Sequence, residues 1–148
     1  MDKNLGIFLI VVFLLATAHY INRRRNNIAN VVVGKDKIII ILLMATVLIV
    51  VNYLYNNNYL GYLLAFAATN MTFSMYVSEG VGVKGFYHYA RFVPFGRIPF
   101  EKVVELKVIE SQNELILKVN YGHYTFDQKY YIGDKEKILS LLKENKLL

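Results

Sequence analysis

The sequence predicts an α+β membrane protein: three transmembrane helices, then a small antiparallel β-domain of about five strands closed by a C-terminal amphipathic helix. Two observations carry this expectation. Leu5–Ile21, Ile38–Tyr55 and Tyr59–Val77 are apolar runs without a single Lys, Arg, Asp or Glu. From Ser78 onward apolar residues alternate with polar ones and are punctuated by Gly and Pro. The change of pattern divides the chain into a membrane domain, 1–77, and a soluble domain, 78–148.

Each run spans about 26–28 Å as a helix, enough to cross a bilayer, and a helix satisfies its own backbone hydrogen bonds in lipid. The first half carries six basic side chains (Lys3, Arg23, Arg24, Arg25, Lys35 and Lys37) against Asp2 and Asp36. Five of the six lie in the linker Asn22–Lys37, whereas the second linker, Asn56-Asn57-Asn58, is uncharged and short enough to force a helical hairpin. Positive charge stays cytoplasmic, so this asymmetry puts the N-terminus outside, Asn22–Lys37 inside, the asparagines outside and the tail in the cytoplasm. With no Trp in the chain, Tyr20, Tyr53, Tyr55, Tyr59 and Tyr76 supply the interfacial aromatics. A cleaved secretory signal competes for the first run, because Ala16-Thr17-Ala18 has the form of an A-x-A cleavage site. The arginines that begin five residues beyond Ala18 oppose it, since such clusters resist translocation.

Gly61, Ala65, Ala68 and Thr72 recur at helical spacing in the third run and form a small-residue packing face, toward another helix of this chain or a second copy. Asn70 is strongly polar and well inside that run. Thr46, at matching depth, or Thr17 is its expected hydrogen-bond partner across helices.

In the tail, Glu79–Gly85 reads as a short strand with bends, Phe86–Val93 as a Tyr-rich strand and Pro94-Phe95-Gly96 as a turn. Val104–Val108 and Leu115–Val119 alternate as half-buried strands around the turn Ser111-Gln112-Asn113, and a further strand places Tyr124 and Phe126 on one face. Asp134 is the expected N-cap of a last helix striped by Ile138, Leu141 and Leu142, with Lys143 and Lys146 complementing its dipole.

The order of a glycine-rich first strand, the stretch Phe95-Gly96-Arg97-Ile98-Pro99-Phe100-Glu101-Lys102-Val103, two alternating strands and a C-terminal helix resembles bacterial pleckstrin-homology-like (PH-like) domains. It is most similar to the C-terminal domains of YcxB-type small membrane proteins, with Ile98, Pro99, Phe100 and Val103 at the motif positions. Phe100 stands where Trp is common, and three rather than two membrane helices come first. The resemblance implies an architecture and leaves ligand and activity open.

The residues exclude several chemistries. Without cysteine there is no disulfide, thiolate metal site or thiol nucleophile. His19, His88 and His123 lack the spacing and acidic neighbours of a metal site, and Gly80–Gly85 lacks the Lys-Ser/Thr and helix of a phosphate loop. The expectation is a non-enzyme with no cofactor and no nucleic-acid partner; the net charge of +6 is concentrated beside the apolar runs. Two functions remain. In one, the tail is a binding module for a protein or for anionic lipid, with Arg23, Arg24, Arg25, Lys35 and Lys37 as topology or lipid residues and Lys84, Arg91 and Arg97 as surface contacts. In the other, the helices act, as in a small multi-pass immunity protein or a regulatory subunit of a membrane complex.

Overall fold

A computed structural model describes residues 2–55, 57–89 and 97–148. The expected strand end 90–93, the turn Pro94–Gly96, Arg91 and Asn56 lie outside the described residues.

Three helices match the apolar runs: α1 (Lys3–Arg25), α2 (Lys35–Tyr55) and α3 (Tyr59–Val77). All three are long and apolar enough to cross a membrane. The first two begin earlier than the uncharged runs, and α1 continues through the three arginines. Charge at a helix end does not break helical geometry, so the apolar boundary and the helical boundary differ. Large apolar side chains stay exposed all along these helices, among them Phe8, Leu15, Leu42, Leu43, Leu54 and Phe66. An apolar surface of that extent marks a contact with a membrane or another protein.

The β-strands form two antiparallel sheets. The first holds β1 (Asn27–Asn30), β2 (Gly80–Gly82), β3 (Gly85–Tyr87) and β4 (Arg97–Pro99), in that spatial order. The second holds β5 (Glu105–Glu110), β6 (Glu114–Tyr121) and β7 (Tyr124–Tyr131), again in sequence order. The expectation of about five strands is therefore corrected to seven among the described residues. One of the added strands, β1, comes from the linker between the first two helices. By compactness the chain falls into two units, residues 1–23 with 33–76, and residues 24–32 with 77–148.

The linker joins both sheets. Ala29 pairs with Val81 and Asn30 with Gly80, and the Val31 N–H donates to the Glu79 carbonyl at 3.0 Å. One residue on, the Val32 N–H donates to the carbonyl of Lys129 in β7 at 2.8 Å. Ala29 and Val31 point into a core shared with Val81, Phe86, Ile98, Leu115, Leu117, Val119, Phe126 and Tyr130.

Strand pleat explains which side chains face that core. In β6, Leu115, Leu117 and Val119 point inward, while in β7 Phe126, Gln128 and Tyr130 do. The opposite face carries charge, with Lys118 3.8 Å from its cross-strand partner Asp127. The helix α4 (Lys135–Glu144) closes the core with Ile138, Leu141 and Leu142. Asp134 occupies its N-cap position, but its side chain makes no capping bond, against expectation. The backbone there is already near-helical (φ −92°, ψ 0°) and Asp134 instead lies 3.8 Å from Lys137. At the other end, Lys146 takes the left-handed conformation (φ 58°), and the Leu147 N–H returns to the Leu142 carbonyl at 2.9 Å, the closed C-terminal turn that stops a helix.

Candidate functional site

Two features of the β-domain and one of the helices stand out as built polar arrangements.

The first is a buried polar line through the β-domain. Gln128 lies on the inward face of β7 and is fully buried, an unusual place for an amide. Its Nε2 donates to the Tyr87 carbonyl at 2.8 Å, linking the two sheets, and its Oε1 accepts the Tyr130 hydroxyl at 2.6 Å. Both polar ends of the amide are thus satisfied, as a buried polar group requires. Burial first, and the carboxylate of Glu79 second, hold the Tyr130 hydroxyl well above its ordinary pKa. Glu79 is itself 2% exposed. Its Oε1 accepts the Tyr89 N–H at 3.0 Å and stands 3.2 Å from Nδ1 of His88. The His88 ring lies flat on Phe126, with centroids 4.3 Å apart and planes 7° from parallel. The line fixes the segment after β3 by side-chain bonds where the ladder ends.

The second is the end of the first sheet where α1 enters it. Asn27 pairs with Gly82, so the β2–β3 turn, Val83-Lys84, lies at the same end of the ladder as Arg25. Gly85 pairs with Pro99, which brings the 3₁₀ turn Phe100–Lys102 to that end as well. Gly85 (φ 147°) has no room for a side chain against the Ile98 carbonyl, which makes the turn this tight. Arg25, Lys84 and Lys102 are all exposed, and Val83 is 63% exposed. Three exposed cations and one exposed apolar side chain thus share this end of the sheet.

Arg24 has a structural use: its Nη1 donates to the carbonyl of Val77, the last residue of α3, at 2.7 Å. A guanidinium there supplies a donor to a helix-end carbonyl and complements the dipole. Arg97 is exposed on β4, two pairs along the ladder from Gly85. Lys37 lies 5.3 Å from the Tyr76 ring centroid, and Lys35 begins α2.

The polar arrangement of the helices differs from expectation. Asn70 donates to the Phe66 carbonyl of its own helix at 2.9 Å. Thr46 and Thr17 likewise donate to Leu42 and Phe13, one turn back. Short polar side chains on a helix reach their own backbone without the cost of closing a distance between helices, so the expected bonds between helices do not form. Asn52 takes that part. It is buried, donates through Nδ2 to the Asn58 carbonyl at 3.2 Å, and packs closely against Gly61, where a Cβ would overlap its Oδ1. Asn58 in turn caps α3, accepting the Gly61 N–H at 2.7 Å. Of the small-residue face, Gly61 receives Asn52, Ala65 is buried, Ala68 is half-buried, and Thr72 approaches Met44 of α2 at 3.7 Å as well as its own Ala68 carbonyl.

Among the described residues no group of three or more His, Asp or Glu stands close enough to hold a metal ion. Two open depressions occur on the second sheet. One is lined by Glu105, Lys107, Lys118, Asn120 and Thr125, the other by Lys102, Val104, Tyr121 and the β6–β7 turn.

Comparisons of the chain with protein-family models, curated proteins and solved structures gave no match.

Proposed function

We propose that this chain is an integral membrane protein with its N-terminus outside, displaying a PH-like β-domain at the cytoplasmic face as a non-catalytic module for anionic lipid headgroups. Two antiparallel sheets closed by a C-terminal helix support the PH-like reading, although the first strand comes from before α2 rather than from the tail. The observation that carries the lipid reading is the tip formed by Arg25, Val83, Lys84 and Lys102. Arg25 ends α1, a helix apolar enough to cross a bilayer, and stands two residues before Asn27 in the sequence. Each cation close to an anionic surface contributes about 1 kcal/mol.

The absence of cysteine makes a single probe straightforward. A Val83→Cys chain carrying an environment-sensitive fluorophore, reconstituted in nanodiscs, reports whether the tip enters the headgroup layer. The reading expects quenching by brominated lipid in anionic discs, weakened by Lys84→Glu. Equal quenching in neutral and anionic discs, unaffected by Lys84→Glu, rejects it.

A further inference from the structure

The tail 77–148 contains an unfilled place in its own architecture. Remove residues 27–32 and β2 loses one of its two neighbours, the Lys129 carbonyl of β7 loses its donor, and the core loses Ala29 and Val31. The inner surface of α4 also packs on β1. One short segment therefore touches the first sheet, the second sheet and the closing helix.

We propose that residues 77–148 form a strand-acceptor cleft bounded by β2, the Lys129 end of β7 and α4, and that its ligand is the chain's own segment Asn27–Val32. The chemistry of the cleft selects its occupant. Backbone groups of β2 and Lys129 accept an extended strand, as in other strand-addition complexes, and the small Ala29 and the Val31 side chain fill the space beneath α4. Asn27 sets the register: its Nδ2 donates to the Ser78 carbonyl at 3.1 Å and to Asn30 Oδ1 at 2.9 Å. A strand supplied from between two long apolar helices makes the fold of the β-domain dependent on where those helices place it. The domain is then completed only when α1 and α2 have both been laid down, and any change that pulls on the linker acts on both sheets at once. This inference is independent of lipid recognition at the tip.

Two measurements on the full chain in nanodiscs test it. In Ala29→Cys/Val81→Cys, oxidation should link the two positions within one chain, visible as a monomer of altered mobility. A disulfide-linked dimer instead overturns the proposal, because the strand then comes from a second copy; absence of any link overturns the pairing itself. In Ala29→Glu, a charge enters the filled cleft, and hydrogen exchange should accelerate by about a hundredfold or more in β2, β6, β7 and α4 while α2 and α3 keep their protection. Acceleration confined to β1 and β2, with β6, β7 and α4 unchanged, shows that the cleft does not need its strand and overturns the proposal. The control Asn26→Glu, at an exposed position just before the strand, should exchange as the parent does.

Discussion

The guanidinium of Arg24 donates to the carbonyl of Val77 at 2.7 Å, bridging 53 positions of sequence from the end of one helix to the end of another. The contact gives one arginine of the triplet a purpose that charge counting alone does not reveal. In the proposed topology the charge at Arg23–Arg25 counts by its sign, whereas the bond at Arg24 depends on its geometry.

Arg24→Ala should therefore destabilise the β-domain by about 1 kcal/mol, or about 4–8 °C in Tm, through an uncapped helix-end carbonyl. Lys at this position should recover only part, since it lacks the planar fork. Arg25→Ala, which removes charge without this bond, should leave Tm nearly unchanged. Thermal unfolding of the detergent-solubilised chain measures all three.

Gly61→Ala should loosen the α2–α3 hairpin, because the new methyl meets the Asn52 amide. Overpacking of this kind costs about 1–3 kcal/mol. Asn52→Ala removes the obstructing group and with it the bond to the Asn58 carbonyl. In the double variant the two losses should be less than additive. A double-mutant cycle on hairpin unfolding in detergent reads this coupling.

Asn70→Leu should change stability by less than about 0.5 kcal/mol, since the side chain bonds only one turn back to Phe66 among the described partners. A larger loss in the same unfolding assay indicates a partner between helices.

Tyr130 makes the β-domain sensitive to alkali. Its folded pKa is raised, so the folded state holds the phenolic proton at a pH where the unfolded chain has released it. The stability it confers is complete below the ordinary tyrosine value near 10 and falls above it by about 1.4 kcal/mol per pH unit, until the folded hydroxyl itself ionises. Tyr130→Phe should flatten this limb while lowering stability at neutral pH, where Gln128 Oε1 loses its donor. Glu79→Gln should narrow the window from above, because the carboxylate is the second cause of the shift. Denaturant unfolding between pH 8 and pH 11, on the order of the titration range, gives both slopes.

Much of this fold was legible because its signals are periodic. The three helices follow from long uncharged runs, and β5, β6 and β7 from strict alternation around two turns. The first sheet was not legible in the same way. Its strands have three or four residues, too few for alternation to register, and β1 reads Asn-Ile-Ala-Asn, which resembles a loop until Gly80–Gly82 is placed beside it. Among polar residues inside the helices, depth alone pointed to Asn70. The informative pair was Asn52 and Gly61, flanking the asparagine turn, where the missing side chain of one makes room for the amide of the other. Glu79 and Gln128 gave no local sign of burial, since their partners Tyr89 and Tyr87 come from other turns and strands.

The central claim is that three helices cross the bilayer and leave the linker strand and the tail on one side of it. Single cysteines at Asn26, Tyr59 and Glu144 in the cysteine-free chain, probed with a membrane-impermeant maleimide in intact cells and in inverted vesicles, test this directly. Tyr59→Cys should label from outside in intact cells, and Asn26→Cys and Glu144→Cys only in inverted vesicles. Labelling of positions 26 and 144 from opposite sides would contradict the account, because the linker strand Asn27–Asn30 could not then pair with Gly80–Gly82.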